Sequence, residues 1–283
     1  MKQKVVYMNC FLRYPQGKSK ALTFSYDDGV IQDARLIDIF NKYGLKGTFN
    51  VNSNLFGRGD RLAAEEVKLL YLQNGQELAC HGFNHPFLEK LPDNLALYEI
   101  MKDRCTLEQL TDTIIQGFAY PYGTTSDATI ALLHAAGICY ARDVRSTGKF
   151  VFPDNWFRWQ PTCHHDDPRL FDLAQDFLSR NMHSVGNDGL LFYVWGHAYE
   201  FDNKDNWARI EQFAAMISEK KDIWYATNME IYRYVTAFRR LEFSMDHHTA
   251  YNPSDTDVWF AKRESPFEPL EIICVPAGQI IRL

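Results

Sequence analysis

Residues 21–29 read Ala21-Leu22-Thr23-Phe24-Ser25-Tyr26-Asp27-Asp28-Gly29, a β-like run that ends in two adjacent carboxylates and a glycine. The residues that follow predict a helix over about Gln32 to Tyr43, apolar at Leu36, Ile37, Ile39 and Phe40, with Gly44 closing it in the left-handed conformation. This strand–helix unit then recurs. Further strands are expected at Gly47–Val51, Glu77–Cys80, Gly117–Tyr120, Ile138–Ala141, Phe157–Thr162, Leu190–Trp195 and Ile223–Tyr225. One helix should end near Gly75, and another should run over Asp127–Ala136 and stop at Gly137. Asp167-Pro168 supplies an N-cap and first-turn signal, and Thr227 with Glu230 has capping-box spacing. About seven or eight strand–helix repeats favour a parallel α/β barrel. No glycine-rich phosphate loop follows the first strand to support an open doubly wound sheet.

From Leu241 the pattern changes to short strands, Val258–Phe260, Leu270–Val275 and Gln279–Leu283, separated by the turns Asn252–Asp255 and Pro276–Gly278. We therefore expect a barrel over residues 1–240 and a small C-terminal β appendage over 241–283 packed on it.

Composition bounds the function. A chain of 283 residues, 46% hydrophobic and 23% charged, is ordinary for a globular protein. Its net charge of −6 offers no basic footprint for nucleic acid or an anionic membrane. The six cysteines stand singly, with no CxxC pair, so free thiols are expected rather than structural zinc or disulfides. Met1–Tyr7 lacks the apolar core of a signal peptide, and no apolar run reaches about 18 residues. Both point to the cytoplasm.

Three clusters carry chemistry. Asp27-Asp28-Gly29 follows the first strand, where a barrel places its catalytic groups; one carboxylate can bind a cation while the other takes a proton. An Asp-Gly turn would look the same taken alone. His81-Gly82-Phe83-Asn84-His85-Pro86 follows the third strand, and histidines four apart can share an ion. With one carboxylate they make a facial triad that leaves positions open, suited to zinc, iron, manganese, cobalt or nickel. Phe118-Ala119-Tyr120-Pro121-Tyr122-Gly123 follows the next strand. The order of the three is more telling than any one.

Tyr26–Gly29, His81–Pro86 and, in part, Ala119–Gly123 resemble successive motifs of the polysaccharide deacetylases (the NodB-homology group, carbohydrate esterase family 4), which run T-F-D-D-G, H-S/T-x-x-H-P and R-x-P-Y-G. Val194-Trp195-Gly196-His197 stands for the family's late Leu-His. The resemblance spans roughly residues 20–235 and implies a distorted (β/α) barrel that removes acetyl groups from a carbohydrate. It implies Asp28, His81 and His85 as ligands of one divalent metal, zinc first, and Asp27 as general base. The backbone N–H of Tyr122 becomes an oxyanion donor and His197 the general acid. An acetylated saccharide is then the substrate, N-acetyl before O-acetyl. A cyclic-amide hydrolase of allantoinase type and a non-catalytic carbohydrate-binding barrel are the alternatives.

Two departures matter. Where the family often carries an arginine that orients the catalytic aspartate, this chain has Ala119, so Arg142 or Arg145 is the candidate replacement. In place of the usual Arg-x-x-Asp-Trp stands Arg158–Asp167, containing His164 and His165. His164, His165 and Asp166 could make a second metal site, but neighbours on an extended chain point oppositely and rarely share one ion, so one of the two histidines should instead line the pocket and polarise His197. Asp166 and Asp167 read as helix caps. Glu200 and Asp202 read first as a solvated loop, although either could hold the other ring nitrogen of His197 or contact substrate.

Overall fold

In the computed structural model, residues 9–181, 187–263 and 269–283 are described. The segment Met1–Tyr7 lies outside them. The barrel strands are β2 (Lys20–Asp27), β3 (Gly47–Val51), β4 (Glu77–Cys80), β5 (Gly117–Ala119), β6 (Tyr140–Arg142), β7 (Cys163–His164), β8 (Leu190–Gly196) and β9 (Ile223–Tyr225), preceded by a separate strand β1 (Asn9–Arg13). Their order is β6-β5-β4-β3-β2-β8-β7, with β9 also on β2. Every pairing in this sheet is parallel. The curled sheet nearly closes through an isolated parallel bridge between Arg142 and Trp159, just upstream of β7. This is the distorted barrel that the motif order implied.

All eight residues of β2 are buried, as a parallel strand covered on both faces must be. Alternation still sorts them. Phe24 packs on Phe40 and Phe213, from helices α1 (Asp33–Lys42) and α7 (Trp207–Ile217). Thr23, Ser25 and Asp27 face the opposite way, into polar partners. Thr23 Oγ1 donates to Asn228 Oδ1, whose Nδ2 donates to Tyr193 OH, and Asn50 Nδ2 donates to Ser25 Oγ. A column of hydrogen bonds inside the barrel thus rises to Asp27.

The other helices are α2 (Ala64–Leu70), α3 (Asp93–Thr111), α4 (Asp127–Ala135), α5 (Leu170–Ser179), α6 (Tyr199–Asn203) and α8 (Asn228–Arg239). α8 starts with the expected capping box, Thr227 and Glu230 each bonding the other's backbone N–H. None of the described helices is long and apolar enough to cross a membrane. The six cysteines are free thiols.

Three expectations change. The strand foreseen at Phe157–Thr162 is a 3₁₀ turn, Trp156–Arg158, held by Asn155 Oδ1 accepting from Phe157 N–H, and the strand itself is Cys163–His164. Pro161 lacks the N–H that a continuous ladder needs. The helix after Asp167 begins at Leu170, because the Asp167 carboxylate turns back to Arg169 N–H. C-terminal strands β10 (Glu242–Phe243), β11 (Thr249–Tyr251) and β14 (Ile280–Arg282) form one antiparallel sheet. β12 (Val258–Arg263) lies between β13 (Glu271–Val275) and β1, so the chain's N-terminal strand completes the second C-terminal sheet.

Candidate active site

Asp27 and Asp28 end β2, His81 follows β4, and Tyr122 follows β5, so all sit beyond the carboxyl ends of parallel strands. Among the described residues, eight non-glycine residues have positive φ, and Asp28 (86°), His85 (58°) and Tyr122 (59°) are three of them. Such backbone costs of order 1–3 kcal/mol per residue and persists where surroundings enforce it. Here the surroundings are explicit. Asp28 N–H donates to Asn50 O at 2.8 Å. Asn52 Nδ2 donates to the carbonyls of His81 (2.6 Å) and Gly82 (2.7 Å). Asn50 and Asn52, two apart on one extended segment, serve the two motif loops from the same side.

α3 supplies a second brace. Buried Asp103 accepts from Ser53 N–H, Ser53 Oγ and His81 N–H at 2.6–2.9 Å. Glu99 accepts from Asn84 N–H and Asn84 Nδ2. The motif reading did not find these carboxylates, and α3 itself was not foreseen.

Asp28, His81 and His85 converge. Asp28 Oδ1 lies 3.8 Å from His81 Nε2 and 3.7 Å from His85 Nε2, and the two nitrogens are 3.2 Å apart. Donors about 2.0–2.2 Å from a common ion, at angles of 90–110°, stand about 2.8–3.6 Å from one another. Two further observations suit a metal. Asp28 Oδ1 is buried and makes no hydrogen bond. His81 Nδ1 lies 2.8 Å from Ala119 O, which places the proton on Nδ1 and leaves the Nε2 lone pair free. Burial pushes the His81 pKa down, the effect of Asp27 and Asp28 notwithstanding. Burial, with His81 beside it, takes His85 to about 4. Both imidazoles are therefore neutral at pH 7, the form that coordinates. Arg61 Nη1 stands 3.3 Å from Asp28 Oδ2, a contact absent from the motif reading.

Arg142 is the residue that engages Asp27. Its Nη2 donates to both carboxylate oxygens, at 2.6 and 2.5 Å, and the side chain is wholly buried. β5 and β6 pair with Ala119 directly opposite Arg142. The guanidinium therefore comes from the adjacent strand, in register with the motif position that lacks it. Asn50 Nδ2 adds a third bond to Asp27 at 2.8 Å. Burial alone would raise the Asp27 carboxyl, but Arg142, His81 and His197 outweigh it and the net shift is downward. Arg145 does not reach Asp27; it is exposed and pairs with Asp143 at 3.1 Å.

The other histidines meet at Glu200. His197 Nδ1 lies 3.3 Å from Glu200 Oε1. Glu200 Oε2 is 3.1 Å from His164 Nε2 and 3.0 Å from His165 Nε2. The expectation that one of these two rings polarises His197 directly is thus replaced: both face a carboxylate that in turn faces His197. They converge because only His164 belongs to β7, while His165 begins the turn that follows it. Burial opposes charge on His197, yet Glu200, Asp27 and Asp28 win and its pKa rises. Asp166 caps no helix; it pairs with Lys204 and lies 3.6 Å from His165 Nε2. Asp202 accepts from Trp207 Nε1 at 2.7 Å instead of reaching His197.

Residues 14–141 match the family model described as polysaccharide deacetylase. Over that segment, less than half of the chain, the sequence is similar to the polysaccharide deacetylases. The matched segment contains the Asp28–His81–His85 cluster and Tyr122, and stops one residue short of Arg142. No curated protein matches the chain. Among solved structures, a polysaccharide deacetylase candidate from Mycobacterium smegmatis superposes at a TM-score of 0.59 with 16% identity, over 81% of this chain and 94% of its own. A family 4 carbohydrate esterase pseudoenzyme from Bacillus anthracis gives 0.50 with 14% identity, over 78% and 68%. A Streptococcus pyogenes deacetylase solved with acetate aligns at 24% identity with a TM-score of 0.42, and this chain spans only 55% of its length. For the first two of these, at 16% and 14% identity, the likeness is one of fold. A fold that houses a pseudoenzyme does not decide activity; the side chains must.

Proposed function

We propose that this chain is a metal-dependent hydrolase that removes acetyl groups, N-acetyl in preference, from a carbohydrate. What carries the reading is the meeting of a neutral two-histidine, one-carboxylate cluster with a second carboxylate, Asp27, held ionised by a buried arginine. Asp28, His81 and His85 would hold the divalent ion, which when bound polarises the acetyl carbonyl and makes a water molecule acidic. Asp27 takes the proton from the attacking water. Its lowered pKa keeps it ionised at neutral pH, and Arg142 with Asn50 fixes which way it faces. Glu200 beside Nδ1 favours the charged ring of His197, which can then give its Nε2 proton to the leaving amine or hydroxyl. The backbone N–H of Tyr122 is the donor assigned to the developing oxyanion.

The test is acetate release from a panel of N-acetylated and O-acetylated saccharides, with and without chelator. Release that chelator stops and added divalent metal restores is expected, and Asp27→Asn should abolish turnover while leaving the metal bound. Full activity in Asp27→Asn would sink the base assignment. Saccharide binding without turnover on any substrate would make the chain a non-catalytic barrel.

A further inference from the structure

The cluster around Glu200 has the physical marks of a second metal site. His164 Nε2, His165 Nε2, Asp166 Oδ2 and Glu200 Oε2 lie mutually close, with contacts of 3.0, 3.1 and 3.6 Å, and all four groups fall within 4.8 Å of one another. His165 is fully buried, its ring held between Tyr26 (centroids 5.7 Å, planes 13° apart) and Phe201 (4.2 Å, 26°). Gly196 lies against the ring so closely that a Cβ there would come within 1.9 Å of His165 Nδ1. The ring is therefore fixed, and it points at Glu200.

Yet neither nitrogen of His165, nor Glu200 Oε2, makes a hydrogen bond. The N–H directions miss an oxygen only 3.0 Å away. Buried polar groups left unpaired cost roughly 1–3 kcal/mol each, so several converging on one spot call for an explanation. The Asp28 cluster carries the same signature, an orphaned carboxylate oxygen facing two imidazole nitrogens. In both, a cation between the groups satisfies the carboxylate oxygen and the imidazole Nε2 atoms that face it.

We propose that His165 and Glu200, completed by His164 and Asp166, hold a second divalent cation of the kind that imidazole and carboxylate select together, such as zinc, manganese or iron. His165 and Glu200 can bind as they stand. His164 Nδ1 accepts from Asp166 N–H at 3.1 Å, which leaves the His164 proton on Nε2. It joins the ion when that proton moves to Nδ1 and the Asp166 bond opens. Lys204, now paired with Asp166, gives way to the ion. The bound cation would pin Glu200, and through Oε1 the ring of His197. This second ion is thus structural, and its existence does not depend on the hydrolytic role given to the first.

The experiment counts metal. The full chain is stripped with chelator, reloaded with Zn²⁺, dialysed and measured for zinc per chain, with far-UV circular dichroism confirming that each variant is folded. Two equivalents are expected in the unaltered chain, one in Asp28→Asn, one in Glu200→Gln and none in the double variant. Equal zinc in the unaltered chain and in folded Glu200→Gln overturns the proposal, as does an Asp28→Asn chain that binds none. One equivalent that survives Asp28→Asn and disappears in Glu200→Gln would support this site while sinking the other. Should Glu200→Gln not fold, Co²⁺ titrated into Asp28→Asn gives the answer: a visible d–d band supports the site, and its absence overturns it.

Discussion

Replacing Arg142 with methionine keeps most of the side chain's volume and removes its charge. Asp27 is then left 2% exposed, with Asn50 as its remaining side-chain donor. Breaking a buried pair by removing one partner costs about 3–5 kcal/mol, because the other charge stays unpaired. At about 2–4 °C per kcal/mol for chains of 150–250 residues, the melting temperature should fall by roughly 10 °C. The sign of the pH dependence is also fixed. With Arg142 in place, the folded pKa of Asp27 lies below its unfolded value, so its stabilising contribution is present above that unfolded value and is lost as pH falls through the folded one. In Arg142→Met, the largest charge opposing burial is gone, with His81 and His197 left to counter it, and the folded pKa rises. The folded state then holds a proton that the unfolded chain releases, and the destabilisation grows as pH rises from acid toward neutrality. Thermal melts at pH 5 and pH 8 measure this directly and need no substrate. The double variant Asp27→Asn/Arg142→Met, which has no orphan charge, should melt above Arg142→Met alone. A single variant that melts within about 2 °C of the unaltered chain at both pH values would refute the reasoning.

Three further predictions concern the frame of the site. Gly196→Ala should cost about 3 kcal/mol or more in denaturant unfolding, since its Cβ would fall on a His165 ring that stacking prevents from moving; a midpoint near that of the unaltered chain would show that the ring yields. Asp103→Asn turns one of two accepting oxygens into a donor facing other donors, and should weaken zinc binding at the Asp28 cluster by about 10–100-fold in a chelator-competition assay. Burial raises Asp33 to about 8, against the bond from Tyr71 OH, so the folded chain keeps a proton that the unfolded chain loses between about pH 4 and 8. Stability should therefore fall across that window, and Asp33→Asn should flatten the fall and be the more stable form at pH 9 in urea unfolding.

The barrel was legible because its strands are short apolar runs punctuated by Gly44, Gly75 and Gly137, and because each chemical motif directly follows one of them. α3 was illegible for a physical reason. Its buried face carries Glu99 and Asp103 among Ala96, Ile100 and Leu107, so the polar groups that brace the site interrupt the apolar periodicity by which helices are recognised. The pairing of β1 with β12 joins residues some 250 apart, and no local pattern announces it. The site divides in the same way. Residues inside contiguous motifs, Asp28, His81 and His85, could be named from their spacing. The partner of Asp27 lies 115 positions away and depends on strand register, so Arg142 and Arg145 could not be separated from sequence. Glu200 was visible beside His197, but its position among three imidazoles follows from where β7 ends.

The register that sets Ala119 beside Arg142 also bears on how such chains are sorted. A linear signature that demands arginine before Pro-Tyr-Gly counts this chain as having lost a part, and would file it with the inactive relatives. In space nothing has been lost: the charge has stepped sideways by one rung of the sheet, about 5 Å, and reaches the carboxylate from the neighbouring rail. Side chains at paired positions of neighbouring strands face the same side of the sheet, so an arginine at position 119 would approach the same carboxylate. Ala119→Arg combined with Arg142→Ala would retrace that step.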